Sequence, residues 1–168
     1  DRLVFKNATG LYWQTLGTGV PALLVPRSDI AAVADVSAEA IVITTASPFD
    51  PNVAVASVLR VPWSGTPVET LYQSRVEGYA PQLVLSAIVR GATLYVVRTE
   101  TMHFFWTTST LIVVRNGAAW ARHSAPNAPL TVLAADEEAI TLGQWIDAGG
   151  MRKILRLCAD PPRVRAVR

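Results

Sequence analysis

Apolar residues along this chain come in short runs rich in Val, Ile, Thr and aromatics, separated by Gly, Pro, Asn, Asp and Ser. Such runs read as strands, because β-branched and aromatic side chains suit a pleated, half-buried surface. The pattern predicts strands near Leu3–Phe5, Leu11–Leu16, Ala22–Val25, Ala40–Thr45, Val53–Val61, Gln82–Val89, Thr93–Thr99, Phe104–Arg115, Ala118–Ser124, Leu130–Ala134 and Lys153–Cys158. Two joints carry turn chemistry. Arg90-Gly91 suits a tight hairpin, and Asn116-Gly117 supplies the two positive-φ residues that a type I′ turn requires. Together they imply an antiparallel block from about residue 82 to residue 124.

Helical signals are few. Thr66-Pro67-Val68-Glu69 reads as a capping box with Pro at the first helical position, followed by Leu71, Tyr72, Arg75 and Val76 and stopped by Gly78. Thr141-Leu142-Gly143-Gln144 is a weaker version, with Gly149-Gly150 as its stop. Asp29–Ala40 is alanine-rich without a decided period. About ten strands with one or two short helices in loops predict an all-β fold. The expected form is an antiparallel two-sheet sandwich or barrel, jelly-roll-like in pattern. The 168 residues read as one such domain with a basic C-terminal segment from about residue 152.

Charge changes this picture. Only 17% of residues are charged and 51% are hydrophobic, against about 25% charged in an average globular domain. Thirteen of the fifteen cations are Arg, the cation that protein interfaces favour over Lys. The implied surface is therefore one built to meet other protein. Six cations, Arg152, Lys153, Arg156, Arg163, Arg165 and Arg168, fall in the last 17 residues, opposed only by Asp160. They are the candidate contacts to nucleic acid or to an interface, and in a strand Arg152 and Arg156 share one face while Lys153 takes the other.

Candidate chemistry is sparse. His103 and His123 are the only histidines; counting outward from the Asn116-Gly117 turn sets His123 beside Thr110, away from His103. Consecutive Asp136, Glu137 and Glu138 point in different directions on any regular element, which suits a solvated loop. The lone Cys158, between Leu157 and Ala159, reads as a small buried residue. Leu16-Gly17-Thr18-Gly19 lacks the third glycine and the helix of a phosphate loop. No nucleophile elbow or metal-ligand spacing occurs, so no catalytic, cofactor-binding or metal-ligating residue is assigned and no cofactor is expected. Trp13, Trp63, Trp106, Trp120 and Trp145 are spread evenly, as core and interface packing would place them.

These features lead to an expectation of a non-enzymatic assembly subunit. Its most concrete form is a viral coat protein, located in the virion and self-associating through charge-poor β surfaces, with the basic end reaching nucleic acid. The chain resembles jelly-roll coat proteins in pattern only and carries no family motif. Beginning with Asp1 fits a processed product or an excerpt of a longer chain. No apolar run approaches the roughly 18 residues of a membrane-spanning helix. The alternative is a β-sandwich module of lectin or adhesin type that binds carbohydrate or protein. It predicts an exposed cluster of Trp or Tyr near polar loop residues such as Asn52, Gln73 or Asn127. A small β-barrel hydrolase or isomerase is a third class, and it needs a pocket with convergent polar groups.

Overall fold

The structure is a computed structural model, described here for residues 2–17, 19–48, 50–103, 106–145 and 152–160. It contains fourteen strands in four antiparallel sheets, and no helix among the described residues. Sheet I holds β1 (Arg2–Asn7), β2 (Gly10–Thr15) and β3 (Ala22–Val25). Sheet II holds β4 (Ile30–Val36), β5 (Ala40–Ala46), β6 (Val53–Pro62) and β7 (Glu69–Glu77). Sheet III holds β8 (Gln82–Arg90), β9 (Thr93–Met102), β10 (Trp106–Arg115) and β11 (Ala118–Pro126). Sheet IV holds β12 (Leu130–Ala135), β13 (Ala139–Trp145) and β14 (Arg152–Cys158). Strand order in every sheet follows chain order, so each is a meander.

Consecutive sheets pack face to face, and three apolar layers hold them. Leu11 and Val25 of sheet I meet Ile30, Ile41, Ile43, Leu59 and Val61 of sheet II. Val42, Ala56, Val58 and Val76 on the opposite face of sheet II meet Leu83, Leu85, Ala87, Leu94, Val96 and Ile112 of sheet III. Tyr95, Val97, Leu111 and Val113 on the far face of sheet III meet Leu130, Ile140 and Leu142 of sheet IV. The sequence follows from this position. β5 and β9 lie inside sheets covered on both faces, so Ile41 to Thr45 and Thr93 to Val97 are buried without a break. β8 is an edge strand, and there Leu83, Leu85 and Ala87 alternate with exposed Gln82, Val84 and Ser86. Fully burying such a side chain stabilises by about 1.5–3 kcal/mol.

The first strand of each sheet makes the closest approach to its neighbour. β1 lies against β4, β8 against all four strands of sheet II and most closely β5 and β6, and β12 against β9 and β10. A groove of about 460 Å³ runs between β8 and β12 and reaches Ala34 of β4. No comparable approach joins the last strands β3, β7, β11 and β14 to one another among the described residues.

The all-β antiparallel class and its sheet-on-sheet packing are those expected, with four sheets where two were predicted. The antiparallel block over residues 82–124 is sheet III, with Asn116 at φ 52° and Gly117 at φ 75° in the predicted turn. The loop after β8 is Gly91-Ala92, since Arg90 pairs with Thr93; Gly91, at φ 56°, takes the first central position. Both predicted helices are strands. Thr66–Pro67 is a cis peptide, and from Glu69 the chain pairs along β6. Exposed Gln73, Arg75 and Glu77 alternate there with buried Ser74 and Val76, a period of two that outweighs the capping box. Thr141–Gln144 belongs to β13, whose place between β12 and β14 buries it. The undecided Asp29–Ala40 segment supplies β4.

Candidate functional site

The hairpin turns of sheets II and III gather at one end of the stack around a cleft of about 630 Å³. Its apolar floor includes Val42, Leu71, Val89, Leu94 and Val114, and its rim carries Asp35, Glu39, Glu69, Arg60, Arg90 and Arg115. Three carboxylates thus face three guanidiniums, and most of that charge is answered internally. Asp35 Oδ2 accepts from Arg90 Nη1 at 2.9 Å and from the Val89 N–H at 3.1 Å, tying sheet II to sheet III. Arg60 Nη2 donates to Glu39 Oε2 at 3.0 Å, and Arg115 lies 3.8 Å from Asp160. The volume is that of a small-molecule site. Balanced, mutually paired charge suits a sheet-to-sheet clamp better than capture of an ion.

The opposite end is aromatic. The β7–β8 turn presents Tyr79 and the β9–β10 turn presents His103, with ring centroids 5.5 Å apart and planes 28° apart. A backbone hydrogen bond from the His103 N–H to the Tyr79 carbonyl joins the turns at 3.3 Å. Ala80 at φ 47° and His103 at φ 52° occupy the left-handed region, which costs a residue with a Cβ and concentrates at functional loops. Tyr79 is 64% exposed, and so is Trp106 at 65%, which pairs with Met102 next to His103. The Asn52 carbonyl accepts from the Gly78 N–H at 2.9 Å, and the Asn127 N–H donates to the Thr107 carbonyl at 2.6 Å, so both asparagines belong to this end. Gln73 does not; it lies mid-strand, donating to Ser57 Oγ at 3.3 Å.

The two histidines stay apart, as expected. His123 pairs with Leu111, five rows of the ladder from Trp106, roughly 17 Å at about 3.4 Å per residue. A bulge after Leu111 moves His123 one residue from the predicted Thr110. His123 instead faces Gln144 of sheet IV, Nε2 to Oε1 at 3.4 Å. The acidic cluster is a turn device. Asp136 Oδ1 accepts from the N–H groups of Glu138 at 2.9 Å and Ala139 at 2.7 Å, bonds that hold its carboxyl below the usual range. The Glu137 carbonyl accepts from Thr93 Oγ1 at 3.1 Å, and the Glu137 side chain lies over Gly91. Asp29, in the link between sheets I and II, is also held low, by its hydrogen bond from Arg27. Among the described residues no three His, Cys, Asp or Glu side chains are placed to hold a metal. No helix there is long and apolar enough to cross a membrane.

The basic segment is partly described. Arg152 opens β14, and Lys153 and Arg156 are exposed, on opposite faces by strand alternation. Arg156 lies 3.5 Å from Asp136. Arg163, Arg165 and Arg168 fall outside the described residues. Cys158 is exposed rather than buried: it stands on the outer face of an edge strand, while Leu157 beside it points inward to the layer against sheet III.

That outer face has a counterpart at the other end of the stack. On the face of sheet I turned away from sheet II, Phe5 and Tyr12 stack with centroids 5.8 Å apart, flanked by Leu3 and Leu23 at 49% and 51% exposure. On the face of sheet IV turned away from sheet III, Leu133 and Ile154 are 49% and 68% exposed. Sequence patterning missed both, because an outward apolar row has the same alternation as an inward one. No protein-family model matches the chain, and no curated protein or solved structure matches it either.

Proposed function

We propose that this chain is a structural subunit that works by self-association rather than by catalysis. The observation that supports this most is the pair of apolar end faces, Leu3, Phe5, Tyr12 and Leu23 on sheet I and Leu133 and Ile154 on sheet IV. Exposed apolar faces of this kind mark contact surfaces. Light scattering over a wide concentration range is expected to show the mass rising to a defined oligomer. A mass that stays monomeric throughout would overturn the reading. Its finer form is a virion coat subunit whose basic C-terminal segment contacts nucleic acid. Lys153 and Arg156 are exposed, Arg156 beside the Asp136 carboxylate that a phosphate would have to displace, and the binding would weaken steeply with salt as counterions are released.

A second reading, a binding module of lectin or adhesin type, is favoured by the exposed Tyr79, His103 and Trp106 beside Asn52 and Asn127. Aromatic side chains held rigid in exposed turns supply contact area at low entropic cost. If this is the working surface, Tyr79→Ala and Trp106→Ala each abolish the strongest signal on a glycan array while leaving the thermal midpoint within a few degrees. A wild-type array without signal would dismiss the carbohydrate form.

A further inference from the structure

We propose that the cleft between sheets II and III is a binding site for an uncharged, flat, apolar small molecule. The site holds whether or not copies of the chain associate. Both of its walls belong to four-stranded sheets, and every residue that lines it is a described one.

The ladder registers build the walls. On sheet II, Asp35 pairs with Val42, Val42 with Arg60 and Arg60 with Glu69. These four residues form one row across the sheet. On sheet III, Val89 pairs with Leu94 and Leu94 with Val114, a second row with no polar side chain in it. Val42 and Leu94 belong to the apolar layer that joins the two sheets, and Leu71, Val89 and Val114 pack against it at its margin. The cleft is therefore the place where that layer opens to solvent without being filled. Sheets packed face to face lie about 10 Å apart. Valines at 42, 89 and 114 are too short to close such a gap from either side. The slot admits a flat molecule edge first, with the sheet III row against one face and Val42 and Leu71 against the other. Its volume of about 630 Å³ lies within the range of small-molecule sites.

The charges around the slot select against ions. Asp35 accepts from Arg90 at 2.9 Å and from the Val89 N–H at 3.1 Å, and Glu39 accepts from Arg60 at 3.0 Å. An anion would have to draw Arg60 or Arg90 away from its carboxylate and leave that carboxylate unanswered, with Glu69 beside it. A cation gains nothing from the sheet III row, and it finds Glu69 exposed at the rim, where water screens the attraction. An uncharged molecule leaves each pair intact. Its gain is the removal from water of its own surface together with that of the half-buried Leu71, Val89 and Val114.

Two dyes with one ring system test this. N-phenyl-1-naphthylamine is uncharged, and 8-anilinonaphthalene-1-sulfonate is the same skeleton carrying a sulfonate. Both brighten on leaving water, so each can be followed by its own emission as protein is added. The uncharged dye is expected to bind once per chain, about tenfold or more tightly than the sulfonate. Its dissociation constant should not change with protein concentration, as it would for a site formed between copies. Val114→Trp fills the slot from the sheet III wall and should weaken binding by about tenfold or more. Leu71→Gln, which should cause the same loss from the sheet II wall, replaces it if circular dichroism shows misfolding. Leu3→Ser and Ile154→Ser trim the apolar rows on the outer faces of sheets I and IV, and should leave binding within about twofold. The proposal is overturned by an uncharged dye that does not saturate, by a sulfonate that binds equally well, or by binding that survives a folded Val114→Trp or Leu71→Gln. A loss caused by Leu3→Ser or Ile154→Ser would overturn it too, by moving the dye to an outer face.

Discussion

Leu111→Ala is expected to lower the unfolding free energy by about 2–5 kcal/mol, the cost of deleting buried methylenes together with the cavity they leave. Leu111 is 0% exposed. It sits in β10, paired with Val97 on one side and His123 on the other, and belongs to the layer joining sheet III to sheet IV. Its surroundings are held by ladders on both flanks and by sheet IV above, so the gap cannot collapse cheaply. Leu111→Met keeps the volume and should cost under about 1.5 kcal/mol. Urea titration followed by tryptophan fluorescence and circular dichroism checks both values. A loss below about 1 kcal/mol for the alanine variant would contradict the packing of this layer. The same titration tests coupling through the stack. Among the described residues the main contacts of each sheet are with its neighbours, which makes the molecule nearly one-dimensional energetically. Coincident transitions by the two probes would show that Asp35–Arg90 and Thr93–Glu137, which tie sheets II, III and IV together, keep them one cooperative unit.

How much of this was legible in the sequence depends on whether the deciding interaction is local. The Asn116-Gly117 turn carries its own conformational demand, so it and the flanking strands were readable. Thr66–Glu69 shows the opposite case. The capping box is a real local preference, yet β6 offers Glu69–Glu77 a full ladder that nothing in the segment announces, and tertiary context overrides a preference of this size. The number of sheets was hidden for a related reason. Continuous apolar runs at Ile41–Ile43 and Leu94–Val97 mark strands covered on both faces, but a run does not say what covers it. The aromatic end was out of reach, because Tyr79 and His103 meet only when two separate turns fold to the same edge. Cys158 was misjudged from its apolar neighbours, which in a strand point the other way.

Tyr95→Phe is expected to leave stability at neutral pH unchanged or raised, and to remove a loss of about 2 kcal/mol that develops between pH 10 and pH 12. Tyr95 is 0% exposed in the layer between sheets III and IV, and its hydroxyl has no hydrogen-bond partner among the described residues. Burial, reinforced by the nearby Asp136 carboxylate, pushes the phenol from its ordinary value near 10 to about 12. Below pH 10 the phenol is protonated in both states and the full stability is present. As pH rises from 10 to 12 the unfolded chain sheds the proton and the folded chain keeps it, so unfolding is favoured by about 1.4 kcal/mol per pH unit. Phenylalanine cannot ionise, so the variant escapes this term. An unpartnered buried hydroxyl is itself costly, which is why its removal should not weaken the layer at neutral pH. Unfolding free energies of both proteins at pH 8 and pH 11 check this, and the gap should widen in favour of the variant by about 1.4 kcal/mol between those values. Parallel pH profiles would mean that the Tyr95 hydroxyl reaches water, and with it that sheet IV does not seal this layer. The measurement therefore reads the same III–IV packing that Leu111→Ala probes, through a proton instead of a cavity.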